Sequence, residues 1–194
     1  MLQLDSYLEI AKSAALLAGA YIKDQQNKDL EILLNEGRDI KLQIDVDAEK
    51  IIKDHLIAKS SFPILAEESG ASNDLNEFYW VVDPLDGTSN FLRNIPISCV
   101  SIALMKDIDP ILGVIFDFNN DDLYFAHHES KAYMNDSELS VSSITSKTDA
   151  TLVTGIPAKK NYSDKEFKNM ISDFQSWKKI RMNGSAAMAS VYVA

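Results

Sequence analysis

The sequence predicts an α+β first portion that runs into the start of an α/β layer. Three observations carry this. Two helical patterns, over residues 4–24 and 46–59, come before most of the strands. Two long apolar stretches, 97–105 and 111–118, and a segment 122–127 that pairs back then follow one another with only turns between them, as a mostly antiparallel meander does. Beyond residue 145 the pattern changes to strand, helix, strand, helix.

Taken in order, Leu4, Tyr7, Leu8, Ala11, Ala14, Ala15, Ala18, Tyr21 and Ile22 recur at three- and four-residue spacing, with Glu9, Lys12, Ser13 and Asp24 on the other face. Residues 31–34 read as a short strand, and Asn35-Glu36-Gly37 as a turn. Residues 41–45 lead into the second helix, where Asp45 with Glu49 is a helix-start pattern and Val46, Ile51, Ile52, Leu56 and Ile57 form the apolar side. Residues 62–66 form a short apolar strand that ends in Glu67 and Glu68, and 72–77 are a polar loop. Trp80, Val81 and Val82 close a buried strand, and Pro84, which lacks an N–H, is expected to stop it. Gly87 gives a tight turn, and Gly87, Thr88 and Ser89 present free amides at the start of a short helix.

Residues 93–96 break the chain again, and Asn119-Asn120-Asp121 and Asn135-Asp136 are turns. His127 and His128 face opposite sides of a strand, which is poor geometry for one metal, and both read as surface residues. The Ser/Thr-rich stretch 137–149 is the most linker-like segment. It sets the expected division: an N-terminal α+β portion, residues 1–145, carries the metal site, and residues 146–194 begin a C-terminal α/β portion. There, 151–156 is a strand ended by Pro157, Ser163-Asp164-Lys165-Glu166 opens a helix to about 177, 179–182 is a strand, and Gly184 opens a small-residue helix.

With 194 residues, 46% hydrophobic and 25% charged, the chain has the composition of an ordinary globular protein. A net charge of −10 without a basic block argues against nucleic acid polymers and anionic membrane surfaces as partners. It fits a protein that meets anions through cations. Cys99 is the single cysteine, so no intrachain disulfide can form; its apolar surroundings make it a core residue and a reducing cytoplasm the natural compartment. Neither a signal-like segment nor a membrane span is visible.

The chemistry concentrates at Asp83 and Asp86. Two carboxylates beside a ring of amides form a contradictory pair, since the acids repel phosphate and the amides attract it. A divalent cation resolves this, because the carboxylates hold it and it binds phosphate oxygens itself. Glu67, Asp83 and Asp86 offer hard oxygen ligands, suited to Mg2+ rather than zinc. Three such acids within about 5 Å repel by about 3 kcal/mol per pair at an effective dielectric near ~20, so the cluster calls for cations. The plainer alternative is a strand, a proline turn and a capped helix with solvated acids.

Asp83-Pro84-Leu85-Asp86-Gly87-Thr88-Ser89-Asn90-Phe91, preceded by Ala66-Glu67-Glu68-Ser69, resembles the signature of the inositol monophosphatase family of Mg2+-dependent phosphatases. The resemblance implies a layered αβαβα sandwich. It implies one Mg2+ on Glu67, Asp83 and the carbonyl of Leu85, and a second shared by Asp83 and Asp86. The amides of Gly87 and Thr88 would bind phosphate oxygens. Thr88, with Glu67 nearby and Asp45 behind it, would position and deprotonate a metal-activated water that attacks in line without a phosphoenzyme. Asp45 thus stands either as a helix cap alone or as a cap that also orients Thr88. Arg181-Met182-Asn183-Gly184-Ser185-Ala186-Ala187 resembles the family's later segment, which places Gly184, Ser185 and Ala186 near the substrate's alcohol, together with Asp86. For Ala187, close helix packing is the expectation. The resemblance also implies a small phosphorylated metabolite as substrate and inhibition by lithium.

The chain ends at Val191-Tyr192-Val193-Ala194, inside an apparent helix, and lacks the later Trp-Asp of the resembled family. The expectation is a truncated chain with an incomplete last sheet, weak Mg2+ binding and little turnover. An exposed sheet edge of that kind favours association, for instance as a homodimer. Among substrates, inositol phosphates, sugar bisphosphates, 3′(2′),5′-bisphosphate nucleotides and histidinol phosphate stay open. A catalytically inactive binding or assembly module on the same fold is the alternative from another class. A Ca2+-binding structural protein is disfavoured, because no Asp-x-Asp-x-Asp-Gly loop is present.

Overall fold

The computed structural model describes residues 3–26, 28, 30–36, 39–72, 74–156 and 160–194, with the backbone alone at 36 and 39. Gly37 of the expected turn and Pro157 of the expected strand stop lie outside the described residues. Helix α1 (Leu4–Gln25) leads to an antiparallel pair, β1 (Ile32–Glu36) and β2 (Asp39–Leu42), and then to α2 (Gln43–Lys59). An eight-stranded sheet follows, built from β3 (Ile64–Ala66), β4 (Gly70–Ala71), β5 (Phe78–Asp86), β6 (Cys99–Lys106), β7 (Asp109–Asp117), β8 (Asp122–His127), β9 (Tyr133–Met134) and β10 (Ser137–Glu138). Its order is β10-β9-β8-β7-β6-β5-β3-β4; β3 and β5 run parallel and the other pairs are antiparallel. The short helix α3 (Thr88–Leu92) joins β5 to β6. The last portion holds β11 (Thr151–Thr154), α4 (Asp164–Phe174), β12 (Lys179–Met182) and α5 (Ala186–Val191), with β11 and β12 paired in parallel as a separate two-stranded sheet.

Period-two alternation places the core. Trp80, Val82, Val100, Ile102, Leu104, Leu112, Val114 and Phe116 are buried in one cluster with Ala11, Ala14, Ala15, Ala18, Ile22, Ile52 and Leu56 of α1 and α2. The alanines of α1 let the helix lie close to the sheet. At Gly19 a Cβ would stand 2.4 Å from Phe116 Cδ1.

Several boundaries differ from expectation. β5 does not stop at Pro84 but runs on to Asp86. Asp83 pairs with Ser101 and Asp86 with Cys99, three steps on β5 against two on β6, so Pro84 sits in a bulge where no ladder N–H is required. α2 begins at Gln43 rather than at 46, which puts Asp45 inside the first turn. α4 ends at Phe174, short of 177, and Ser185 is the N-cap of α5. The hairpin strand β4 gave no sequence signal. His127 is not a free surface residue: its ring is mostly covered and Nε2 meets Asp5 Oδ1 at 3.1 Å. No described helix is long and apolar enough to cross a membrane.

Candidate active site

The site forms where the bulged end of β5 meets the turn after β3. Glu67 N–H donates to the Val82 carbonyl at 3.1 Å, which seats the Glu67-Glu68 turn beside Asp83. The Asp83 and Glu67 side chains share a hydrogen bond, and Asp86 lies close enough to act on Asp83 electrostatically. Burial, and then the charges of Glu67 and Asp86, push the Asp83 carboxyl well above the usual range. The Leu85 amide donates to Asp83 Oδ1 at 3.1 Å and partly offsets this.

Gly87 adopts φ +95° and opens α3. A Cβ there would lie 2.7 Å from the Ile97 carbonyl oxygen, so only glycine fits both the left-handed backbone and the close approach of the chain. The Thr88 hydroxyl donates to the Leu85 carbonyl at 3.0 Å rather than to Asp45. Asp45 instead accepts the Leu42 amide at 2.7 Å on Oδ2, as the third residue of α2. Its Oδ1 is buried without a partner among the described residues. Burial, with the charges of Glu68 and Glu67 adding to it against the Leu42 bond, raises Asp45 to about 7.

Behind the turn, the Glu68 amide donates to Glu49 Oε2 at 2.8 Å, and Lys41 pairs with the Glu68 carboxylate. Lys53 donates to Ser69 Oγ at 2.8 Å. Sequence reasoning placed Glu49 only in a helix-start pattern and gave Lys41 and Lys53 no role; nothing local in the sequence joins them to residues 67–69.

From the last portion of the chain, Ser185 Oγ donates to Asp86 Oδ2 at 2.7 Å, and the Ala187 amide donates to the same oxygen at 2.6 Å. Ala187, expected to serve close packing, therefore spends its amide on the site, and the Ser185 hydroxyl faces Asp86. Gly184, Ser185 and Ala186 line a cavity of about 780 Å3 with Asp86, Gly155 and Ile156. Asp83 and Asp86 also line a second cavity of about 670 Å3 over the small-residue stretch of the sheet at Ser101, Ala103 and Gly113. Asp86 thus stands at the wall of both.

Among the described residues, no three acidic, histidine or cysteine side chains are gathered tightly enough to enclose an ion. The donor set still suits a hard divalent cation. It consists of carboxylate and carbonyl oxygens only; burial first, and then the charges of Glu67 and Asp86, raise the Asp83 carboxyl, and a cation would offset that repulsion.

Carboxylates at a bulged strand end beside a glycine turn are the donor types that metal-assisted phosphate-ester chemistry uses. The inositol monophosphatase family model matches residues 3–194. The chain is similar to the fructose-1,6-bisphosphatase/inositol-1-monophosphatase of Aquifex aeolicus (32% identical, spanning 100% of this chain and 75% of that one). It is also similar to the Nus factor SuhB of Xylella fastidiosa (34%, spanning 96% and 69%). In three dimensions it superimposes on the inositol monophosphatase of Anabaena with a TM-score of 0.85 at 30% identity, over 99% of this chain and 72% of that one. The chain belongs to the inositol monophosphatase family, and its activity is that of a phosphoric monoester hydrolase. Membership implies a divalent metal and a small phosphorylated substrate.

Proposed function

We propose that this chain hydrolyses a small-molecule phosphate monoester with Mg2+ held by Glu67, Asp83, Asp86 and the Leu85 carbonyl. The observation that carries this is the contact of Asp83 with Glu67, with Asp86 close by, at the mouth of the Gly87 turn. Bound there, the cation would act as a Lewis acid on the phosphate and on the attacking water. The amides of Gly87 and Thr88 are read as orienting the phosphate oxygens. Because the Thr88 hydroxyl gives its proton to Leu85, its lone pairs are free to accept from the attacking water and aim it. Glu67 would take that water's proton as oxygen bonds to phosphorus. The ester P–O bond would then break, and the departing alkoxide would take a proton from solvent water to leave as the alcohol. Asp45 does not reach Thr88 and would act only through the start of α2, whose Leu42 amide it accepts.

We further read residues 1–145 as the portion that carries the metal site and 146–194 as the portion that supplies the Gly184–Ala187 wall. The alcohol of the substrate would occupy the cavity at Asp86 and Gly184–Ala186. The Aquifex relative's description makes inositol 1-phosphate and fructose 1,6-bisphosphate the first compounds to try. The test is Mg2+-dependent release of inorganic phosphate from either, with Asp83→Asn reducing it to background. Phosphate release that survives this substitution would sink the assignment. A second reading, a binding or assembly module, draws on the likeness to a Nus factor. It is supported instead if neither compound is cleaved and the folded chain co-purifies with one defined partner.

A further inference from the structure

Asp86 is held in a way that limits what it can do. Both hydrogen bonds from the α5 turn fall on one oxygen: Ser185 Oγ at 2.7 Å and the Ala187 amide at 2.6 Å both meet Oδ2. Two donors occupy the two lone-pair directions of that oxygen, so Oδ1 is left for a cation.

The turn that supplies those donors is itself held by Asn90. The Asn90 side-chain amide donates to the Ile97 carbonyl at 2.8 Å and to the Asn183 carbonyl at 2.7 Å, from a largely buried position in α3. Gly184, the next residue, has φ +76°, and a Cβ on it would lie 3.0 Å from both Asn90 Nδ2 and Oδ1. The chain therefore passes directly over the Asn90 amide because residue 184 has no side chain. Ser185 is buried and caps α5, accepting the Met188 amide at 3.1 Å while donating to Asp86. One hydroxyl thus fixes the helix start and the carboxylate together.

We infer that Asn90 and Ser185 form a positioning relay, Asn90 to the Asn183-Gly184 turn to Ser185 to Asp86, which fixes Asp86 as a one-oxygen metal ligand. This rests on the reading of Asp86 as a ligand given above. The relay also joins the short α3 helix to the last portion of the chain, so the metal site is complete only when the Gly184 turn is seated. Partners of this kind that orient a metal ligand commonly govern metal affinity by about 10–100-fold.

The experiment uses the whole chain and Mn2+ as an electron paramagnetic resonance probe for the cation site, beside urea unfolding in metal-free buffer. Ser185→Ala and the isosteric Asn90→Asp, which loses both donors, are expected to weaken Mn2+ binding about 10-fold or more, while Ser185→Thr restores it. A merely structural role would lower stability and leave the affinity of the folded fraction unchanged. In metal-free buffer, Asp86→Asn and Ser185→Ala should be non-additive in stability, which tests the hydrogen bond without any metal. Additive stabilities, or wild-type Mn2+ affinity in folded Ser185→Ala, overturn the relay. A wild-type chain that takes up no Mn2+ although the two substitutions couple removes the ligand reading and the relay's purpose with it, and is recognised by the wild type alone. If Asn90→Asp does not fold, the Ser185 pair decides.

Discussion

Gly87→Ala is the substitution that most directly separates the geometry of the proposed phosphate-binding turn from its chemistry. At φ +95° an L-residue costs about 1–2 kcal/mol more than glycine. The added Cβ would also stand 2.7 Å from Ile97 O and 3.3 Å from Ser98 Cα, both backbone atoms that cannot rotate away. Overpacking against fixed atoms costs about 1–3 kcal/mol, for a total of about 2–5 kcal/mol. The backbone could escape by leaving the left-handed region. It would then disturb the Asn90 and Phe91 amides, which donate to the Gly87 carbonyl at 2.8 and 3.0 Å, and shift the Gly87 and Thr88 amides that are proposed to meet the phosphate. For a chain of this size the loss corresponds to a fall in Tm on the order of 4–20 °C. Thermal and urea unfolding, followed by the fluorescence of buried Trp80, measure it, and phosphate release per folded molecule measures the rest. Gly113→Ala is the control, since a Cβ there meets nothing within 4 Å. A Gly87→Ala protein that melts with the wild type, or that keeps its full turnover, would refute the argument.

Gly19→Ala should destabilise the protein although alanine is the better helix former. The gain is about 1 kcal/mol, while the Cβ would meet the Phe116 ring at 2.4 and 2.5 Å, and the outcome is read in a urea titration. Cys99 is fully buried and its thiol is held well above the usual range by burial and then by the charge of Asp86, so a thiol reagent at neutral pH should label it only on unfolding. Rapid labelling of the native chain would contradict the placement of β6. Millimolar lithium should lower Mg2+-dependent phosphate release, as family membership implies, measured as turnover against lithium at fixed Mg2+.

The elements of this fold that could be read from the sequence are those with a local cause. The alanine stripe of α1, the alternation of β6 and β7 and the Ser163 capping box each declare themselves within a few residues. The acids singled out in the sequence were visible for the same reason, since Glu67, Asp83 and Asp86 each follow closely on a short apolar run that reads as a strand. The continuation of β5 through Pro84 was not legible, because a proline stops a strand only where its missing N–H is needed. Whether it is needed depends on the register with β6, which lies beyond α3 and the break that follows it. The same limit hid Asn90 and Ala187. Their partners, Asn183 and Asp86, lie 93 and 101 residues away, and neither residue type announces such a bond.

The electrostatics of the site point in one direction. Asp45 and Asp83 are both held above their ordinary ionisation range by burial, with Glu67 adding to the effect on each. An arrangement that only served folding would replace such acids with neutral side chains, because buried like charges destabilise the native state. Around them, however, the chain is built to keep them in place: the Glu67 amide on Val82, the Glu68 amide on Glu49, the Leu42 amide on Asp45 and the Ser185 hydroxyl on Asp86. Separate elements thus supply donors that fix carboxylates, or the turn that carries them, rather than neutralise them. Donors arranged in this way preserve negative charge at a fixed geometry, which is what a hard cation requires and what a solvated acidic surface would not need.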